Sequence, residues 1–476
     1  MLRGYVDAMD SLLLHYILEK LHFLRETLKL ANKIVIYGDS LPTISDLEKE
    51  YSKKHPKSQK LYERALKVLP SGVSHDGRIA RPFPVYMTKA EGAYKWDVDG
   101  NQYVDYVMGH GGTLFGYGDK RLRAALENAL AAPHMGACTE LEIEWAETIT
   151  RLVPCGKNGY VRGCACGGEA VEEAVRLARI HTGHDKIVIH EGCYHGKWEE
   201  TCVGRGPPYG IVNQKGIPKY IRDNVILVPY NKPEAAEAAF KTGEIACILL
   251  QGNAPYTKDY IKTLRELTTK YGVVFLMDEV VSGFRYAVEG AQGYYGVTPD
   301  LTTLGKIVGG GAPCGAVTGP KEFMQYLEFR DSNWNRFTRS ATGGTWNSQP
   351  LSISAGIVAM NICEKEREKI YPRLYEIGKK LVKAIDDSAK DYRLKITGTG
   401  LPPENPTQVA ARLDPGASPL AASAIYLSMV NNGVFSYGGM PSNTCIKYSD
   451  EDLKKTEEAI DKTFAVLKEN KLVPTA

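Results

Sequence analysis

The chain has 476 residues, enough for two or three domains and a sizeable core. With 43% hydrophobic and 24% charged residues it has an ordinary globular composition, and 59 Lys+Arg against 56 Asp+Glu leave a net charge of +3. That balance excludes a mainly disordered chain, a fibre and the electrostatic footprint of a dedicated nucleic-acid binder. Several of the ten cysteines lie in apolar runs such as Ile245-Ala-Cys-Ile-Leu-Leu250, which suits a reducing, cytoplasmic setting. No Cys-x-x-Cys pair occurs and Cys164-Ala-Cys166 has no matching Cys or His cluster, so no metal site is expected.

The N-terminus carries acids where a signal peptide would be basic, and the apolar stretch over residues 12–30 is broken by Glu19, Lys20, Arg25, Glu26 and Lys29. Leu14, Ile17, Leu18, Leu21, Leu24 and Leu28 recur at helical spacing, which predicts an amphipathic helix covered by its own globule or by a second copy, not a membrane span. From Gly156 apolar runs of strand length (186–190, 224–228, 245–250 and 273–277) alternate with helix-period segments over 169–181 and 258–271. Continuous apolar strands between helices predict an α/β fold with a parallel sheet covered on both faces. After Gly344 one long helix is expected over 350–392, then short strands near 394–396 and 409–413 and helices near 419–431 and 450–469, a smaller α+β domain. Ligands of such sheets sit beyond the carboxyl ends of the strands, which directs attention to strand ends.

Four strand ends carry candidate chemistry. Cys164-Ala-Cys-Gly-Gly-Glu-Ala170 follows a short strand (160–161) and opens a helix, where free N–H groups can hold a phosphate. Glu191-Gly-Cys-Tyr-His-Gly196 offers an aromatic face beside a glycine. Val273-Val-Phe-Leu-Met-Asp-Glu-Val280 drives Asp278 onto the end of an apolar strand, where a carboxylate is costly unless it meets a cation or donors. Thr302-Thr-Leu-Gly-Lys-Ile-Val-Gly-Gly-Gly311 places Lys306 among apolar neighbours, where desolvation favours nucleophilic use.

A phosphate cradle, a stacking aromatic, an acid for a ring nitrogen and a Schiff-base lysine are what pyridoxal 5′-phosphate (PLP, and its amine form PMP) asks of a protein. From about Ser58 onward the chain resembles the class III, fold-type-I PLP enzymes, and within them glutamate-1-semialdehyde 2,1-aminomutases and D-phenylglycine aminotransferase-like enzymes. The residues that carry the resemblance are Glu191–Gly196, Asp278-Glu-Val-Val-Ser-Gly-Phe-Arg285, the block from Gly290 to Gly311, and Gly343-Gly-Thr-Trp-Asn-Ser-Gln-Pro350. It implies a helical extension (1–57), a segment packing with the small domain (58–110), a large cofactor-binding domain (111–349) and a C-terminal small domain (350–476). It also implies site roles. Lys306 forms the Schiff base and moves the proton, Asp278 pairs with the pyridine nitrogen, and Tyr194 and Val280 cover the two ring faces. Cys166, Gly167 and Gly168 offer N–H groups to the phosphate, and Thr345 reaches it from the second subunit of a homodimer.

The chain also departs from that pattern. Cys166-Gly167-Gly168 replaces a common Ser-Gly-Thr and lacks two hydroxyl donors, and Ile248-Leu-Leu-Gln-Gly252 stands where relatives usually carry a Glu-Pro pair, leaving Gln251 or Asn253 for the ring hydroxyl. Arg78, in Pro70-Ser-Gly-Val-Ser-His-Asp-Gly-Arg78, aligns with a carboxylate-binding arginine. His110 stands where aminomutases usually carry tryptophan, the segment 433–442 lacks their glutamate, and the Gly- and Pro-rich loop 204–219 corresponds to their gating loop. The reading is an aminotransferase moving an amino group from an amino acid, aromatic, D- or β- among the options, to an oxo acid. The alternative is the 2,1-aminomutase, followed by a racemase or a non-catalytic homologue.

Overall fold

The computed structural model describes residues 43–131, 136–207, 209 and 216–476, so the helix expected over 12–30 and part of the loop 204–219 lie outside the described residues. Helix α1 (Ile44–Lys54) starts at Thr43, whose side chain and that of Asp46 cap each other's backbone N–H groups. Its apolar residues Leu47 and Tyr51 are buried against Leu427, Val430 and Phe435. The Tyr51 hydroxyl donates to the Phe83 carbonyl (2.6 Å), so this part of the stretch before residue 58 packs into the small lobe. That lobe begins with antiparallel strands β1 (Met87–Glu91), β2 (Tyr94–Asp97) and β3 (Gln102–Asp105).

The α/β class expected from the sequence is the class observed. The large sheet contains β4 (Tyr160–Cys164), β5 (Lys186–His190), β6 (Val225–Val228), β7 (Ile245–Gln251), β8 (Val274–Glu279), β9 (Leu301–Gly305) and β10 (Gly315–Gly319), in the order β4-β10-β9-β8-β7-β5-β6. All pairings are parallel except those of β10, which runs against both neighbours and so leaves β4 in the common direction. Although the strands are apolar throughout, alternate residues serve opposite faces. Ile187, Ile189, Cys247, Leu249, Val274 and Leu276 pack under helix α2 (Gly167–Thr182). Val188, Ile248, Leu250, Phe275 and Met277 pack under helix α3 (Lys258–Tyr271).

The single helix expected over 350–392 is two. Helix α4 (Pro350–Lys365) and helix α5 (Arg367–Tyr392) meet at Glu366, whose backbone leaves the helical region (φ −109°, ψ 20°) and whose carboxylate accepts from Arg121 (2.6 Å). No Gly or Pro marks the break, because α4 is buried on nearly every side whereas α5 has one apolar face, and a tertiary change of direction leaves no local signal. The strand expected near 394–396 begins later, as β11 (Ile396–Gly400), paired with β12 (Val409–Leu413). Helix α6 (Ala421–Asn431), strand β13 (Val434–Phe435), parallel to β3, and helix α7 (Asp450–Glu469) complete the small lobe. Among the described residues no helix is long and apolar enough to cross a membrane.

Helix α4 fixes the turn that follows β9. The Val308 carbonyl accepts from the Trp145 indole (2.9 Å), and Gly356 lies so close to it that an added Cβ would overlap the oxygen. Gly356→Ala is therefore expected to destabilise the protein by about 1–3 kcal/mol through overpacking. Thermal unfolding checks this, and an unchanged melting temperature would contradict the close approach.

Candidate active site

The carboxyl ends of β4, β5, β7, β8 and β9 lie along one edge of the sheet and deliver Cys166–Gly168, Cys193–His195, Gln251, Asp278 and Lys306 there. Lys306 directly follows β9 in the left-handed region (φ 53°), a conformation that costs a non-glycine residue about 1–3 kcal/mol and persists where surroundings enforce it. Burial holds its ammonium below the usual lysine range, the fully buried Arg285 guanidinium adds to that, and the Asp278 carboxylate opposes it.

Asp278 is the penultimate residue of β8, every residue of which is buried. Its Oδ2 meets Nδ1 of His195 at 2.8 Å, and its Oδ1 accepts from the Val280 N–H (3.0 Å) and the Thr303 hydroxyl (3.4 Å). Burial alone would lower the His195 pKa, but Asp278 and the neighbouring Cys193 outweigh it and push it up to about 9. The Nε2 atom of His195 is buried without a hydrogen bond among the described residues. Local sequence does not mark His195, because its partner is 83 residues away.

Gln251 pairs in register with Asp278, but its amide is engaged: Oε1 accepts from the Tyr194 N–H (2.8 Å) and Nε2 donates to Asn253 (2.9 Å). Tyr194 is 57% exposed, with the Arg205 guanidinium 4.5 Å from its ring centroid. Arg205 also donates to the carbonyls of Gly196 and Thr201, so it anchors the start of the Gly- and Pro-rich loop; nothing in the local sequence marks it.

Helix α2 opens at Gly167 with Cys166 as an extended N-cap whose side chain makes no capping bond, while Glu169 accepts from the Ala165 N–H (2.9 Å). As first-turn groups, the Gly167 and Gly168 N–H donors have no helix carbonyl to bond and sit at the positive end of the helix. A Cβ on Gly167 would stand 2.5 Å from Val280, so Val280 lies directly against the cradle. Free donors at a helix start, a desolvated amine and a carboxylate held ready for a cationic nitrogen fit a phosphorylated pyridine aldehyde.

On the small-lobe side Arg78 lines a cavity of about 390 Å³ whose walls include Val73, Ile79, Val85, Phe435 and Tyr437. Among the described residues no carboxylate lies within ion-pair distance of Arg78; its guanidinium is 3.4 Å from the Ser74 hydroxyl. The His110 ring stacks on Tyr437 (4.7 Å) and lies 5.0 Å from that of His75. Burial and the facing charges of His75, Lys306 and Arg78 push His110 down to about 4, so it is neutral near pH 7. Thr345 is exposed in the loop before α4, next to Trp346, itself 51% exposed.

This fold and this arrangement define a PLP-dependent transferase. The Aminotransferase class-III family matches residues 77–402. The chain is 36% identical over 354 residues to the glutamate-1-semialdehyde 2,1-aminomutase of Methanothrix thermoacetophila, covering 72% of this chain and 80% of that one. It is 34% identical over 430 residues to the enzyme of the same name from Archaeoglobus fulgidus, covering 86% and 99%. A crystal structure of an omega-transaminase from Sphaerobacter thermophilus superposes with a TM-score of 0.77 at 27% identity, covering 86% of this chain and 97% of that one. The chain belongs to the class-III aminotransferase family and is a PLP-dependent transaminase or aminomutase.

The depressed Lys306 pKa has a measurable sign: the amine sheds its proton below pH 10.5, the ordinary lysine value, and is nucleophilic where exposed lysines are still protonated. In cofactor-free protein, pH-dependent competitive labelling read by peptide mass spectrometry should give Lys306 a lower midpoint than the exposed Lys270. Coincident midpoints would refute the desolvation.

Proposed function

We propose that this protein is an aminotransferase that moves the amino group of a carboxylate-bearing amino acid with an apolar or aromatic side chain to an oxo acid. The observation that carries this reading is the pairing of Lys306 and Asp278 at adjacent strand ends with a cavity of apolar walls lined by Arg78, which has no carboxylate within ion-pair distance among the described residues. Bound PLP supplies a protonated pyridine ring that draws electrons from the substrate's amine-bearing carbon.

The chain's own residues do the rest. Gly167 and Gly168 bind the phosphate through their N–H groups at the start of α2, with the Cys166 N–H beside them. The missing hydroxyl donors there make backbone donors and helix charge the main holding force. Thr345 of a second subunit reaches the same phosphate in a homodimer. Asp278, bonded to His195, would hold the proton on the ring nitrogen, with Tyr194 and Val280 at the two ring faces and Asn253 toward the ring hydroxyl. Lys306, whose proton affinity burial lowers, would take the proton from the substrate carbon and return it two atoms away. Arg78 binds the substrate carboxylate, and neutral His110 stacked on Tyr437 forms a flat apolar wall for the side chain.

A second reading, the 2,1-aminomutase, is favoured by the names of the curated relatives. The two differ in whether turnover needs an added oxo acid. Amino-acid donors should convert the cofactor band to that of the amine form, and catalytic turnover should appear only when an oxo acid is supplied. Turnover of a single diamine or amino-aldehyde substrate without oxo acid would decide for the aminomutase.

Two variants test the assignments. Lys306→Ala should abolish turnover while the fold, read by circular dichroism, is unchanged. Arg78→Met should raise KM for carboxylate-bearing donors by about 10- to 150-fold, the loss of one charged hydrogen bond of about 1.5–3 kcal/mol. It should leave the KM of a simple arylalkylamine unchanged, and equal losses for both donors would remove Arg78 from carboxylate binding.

A further inference from the structure

The turn that follows β3 has four consecutive residues in the left-handed region: Met108 (φ 44°), Gly109 (58°), His110 (55°) and Gly111 (88°). Two of them are not glycine, and such a run persists only where partners hold the peptide groups. The turn lies against the reactive edge of the sheet, since a Cβ on Gly112 would stand 3.6 Å from that of Lys306. The His110 ring stacks on Tyr437, a wall residue of the Arg78 cavity, with ring centroids 4.7 Å apart.

A knot of polar side chains holds this turn. Asp105, fully buried at the end of β3, accepts from the N–H groups of Val107 (3.2 Å) and Met108 (3.0 Å). The next N–H, that of Gly109, donates instead to the Tyr117 hydroxyl (3.2 Å), which itself donates to Asp105 Oδ2 (2.7 Å). Burial and the Asp105 charge keep the phenol proton in place, so one hydroxyl accepts and donates at once. Lys95 on β2 supplies the cation that a buried carboxylate needs, with Nζ 3.2 Å from Asp105 Oδ2 and 5.3 Å from the Tyr117 ring centroid. Asn443 and Arg285 hold the two ends of the turn by donating to the carbonyls of Val107 (3.1 Å) and Gly111 (2.7 Å). Among the described residues no side chain other than Tyr117 hydrogen-bonds to the backbone of Gly109 or His110.

We propose that the Tyr117 hydroxyl is the latch of this turn: by joining the Gly109 N–H to the Asp105 carboxylate it fixes His110 against Tyr437 and so sets the preference of the cavity for donors with a flat aromatic side chain. Tyr117 is then a positioning residue that governs specificity without touching the substrate. The consequence for donor choice rests on the reading of His110 as a side-chain wall given above; the latch itself does not, because it is a matter of which hydrogen bonds hold the turn.

The test uses the full-length holoenzyme and Tyr117→Phe, which removes the hydroxyl but keeps the ring and the backbone pair between Tyr117 and Gly92 (2.8 Å in both directions). KM for a phenyl-bearing donor should rise about 2- to 12-fold, the range of one net hydrogen bond, while KM for a short alkyl donor with the same amino and carboxylate groups stays as it was. In a His110→Ala background the same change should add nothing. Two readings need no turnover. The NMR signal of the isotope-labelled His110 ring, assigned by its loss in His110→Ala and shifted by the Tyr437 ring in the unmodified protein, should move to its unstacked position in Tyr117→Phe. The Gly109 amide, protected from hydrogen exchange in the unmodified protein although the residue is exposed, should lose that protection. An unmoved His110 signal with a Gly109 amide still protected overturns the proposal, and so does an equal loss in KM for both donors. If the two NMR changes appear but His110→Ala alone leaves the phenyl donor's KM unchanged, the latch stands and the wall reading of His110 falls. Should Tyr117→Phe not fold, the Gly109 amide of the unmodified protein decides, and exchange there at the rate of an unstructured glycine overturns the proposal.

Discussion

The carboxylate of Asp278 stands one residue before the end of a strand buried along its whole length, where an isolated anion is costly. The structure meets that demand from three directions: an imidazole from the turn after β5, a backbone N–H from the turn after β8, and a hydroxyl from β9. Each of these partners is held by the sheet, so the charge can exist only if the strands are in register. The same register puts Lys306 one strand away and Gln251 opposite. A lysine that is desolvated and a carboxylate that is met by three hydrogen-bonding groups are thus two results of one packing arrangement.

Arg285 ties this edge to the small lobe. Its guanidinium is fully buried and donates to the carbonyls of Gly111 (2.7 Å), Thr444 (3.0 Å) and Thr407 (3.4 Å), groups far apart in the chain. Carbonyl acceptors satisfy hydrogen bonds without cancelling charge, so the cation remains felt at Lys306 and depresses its proton affinity. A contact that joins lobes therefore also acts on the reactive amine.

The substrate side is built on strained backbone. Met108, Gly109, His110 and Gly111 all have positive φ, and that turn carries His110 over Tyr437 and toward the arginine-lined cavity. Left-handed conformations at two non-glycine residues persist because the surrounding contacts enforce them: the Asp105 carboxylate accepts from the Val107 and Met108 N–H groups, and the Gly111 carbonyl from Arg285.

Much of this was legible in the sequence. The apolar runs located β5, β6, β7 and β8, the helix periods α2, α3 and α7, and the strand-end rule located Asp278, Lys306 and the Cys166–Gly168 turn, because each depends on residues close together in the chain. What local pattern could not supply was the break at Glu366, the roles of His195, Arg205 and Arg285, and the engagement of Gln251 with Tyr194 and Asn253. Local sequence dictates which residue types stand at each strand end, since strand length and apolarity are properties of neighbours. Packing in three dimensions sets which of those ends meet, and so which groups are desolvated or paired, because both arise between residues that the chain keeps tens to hundreds of positions apart.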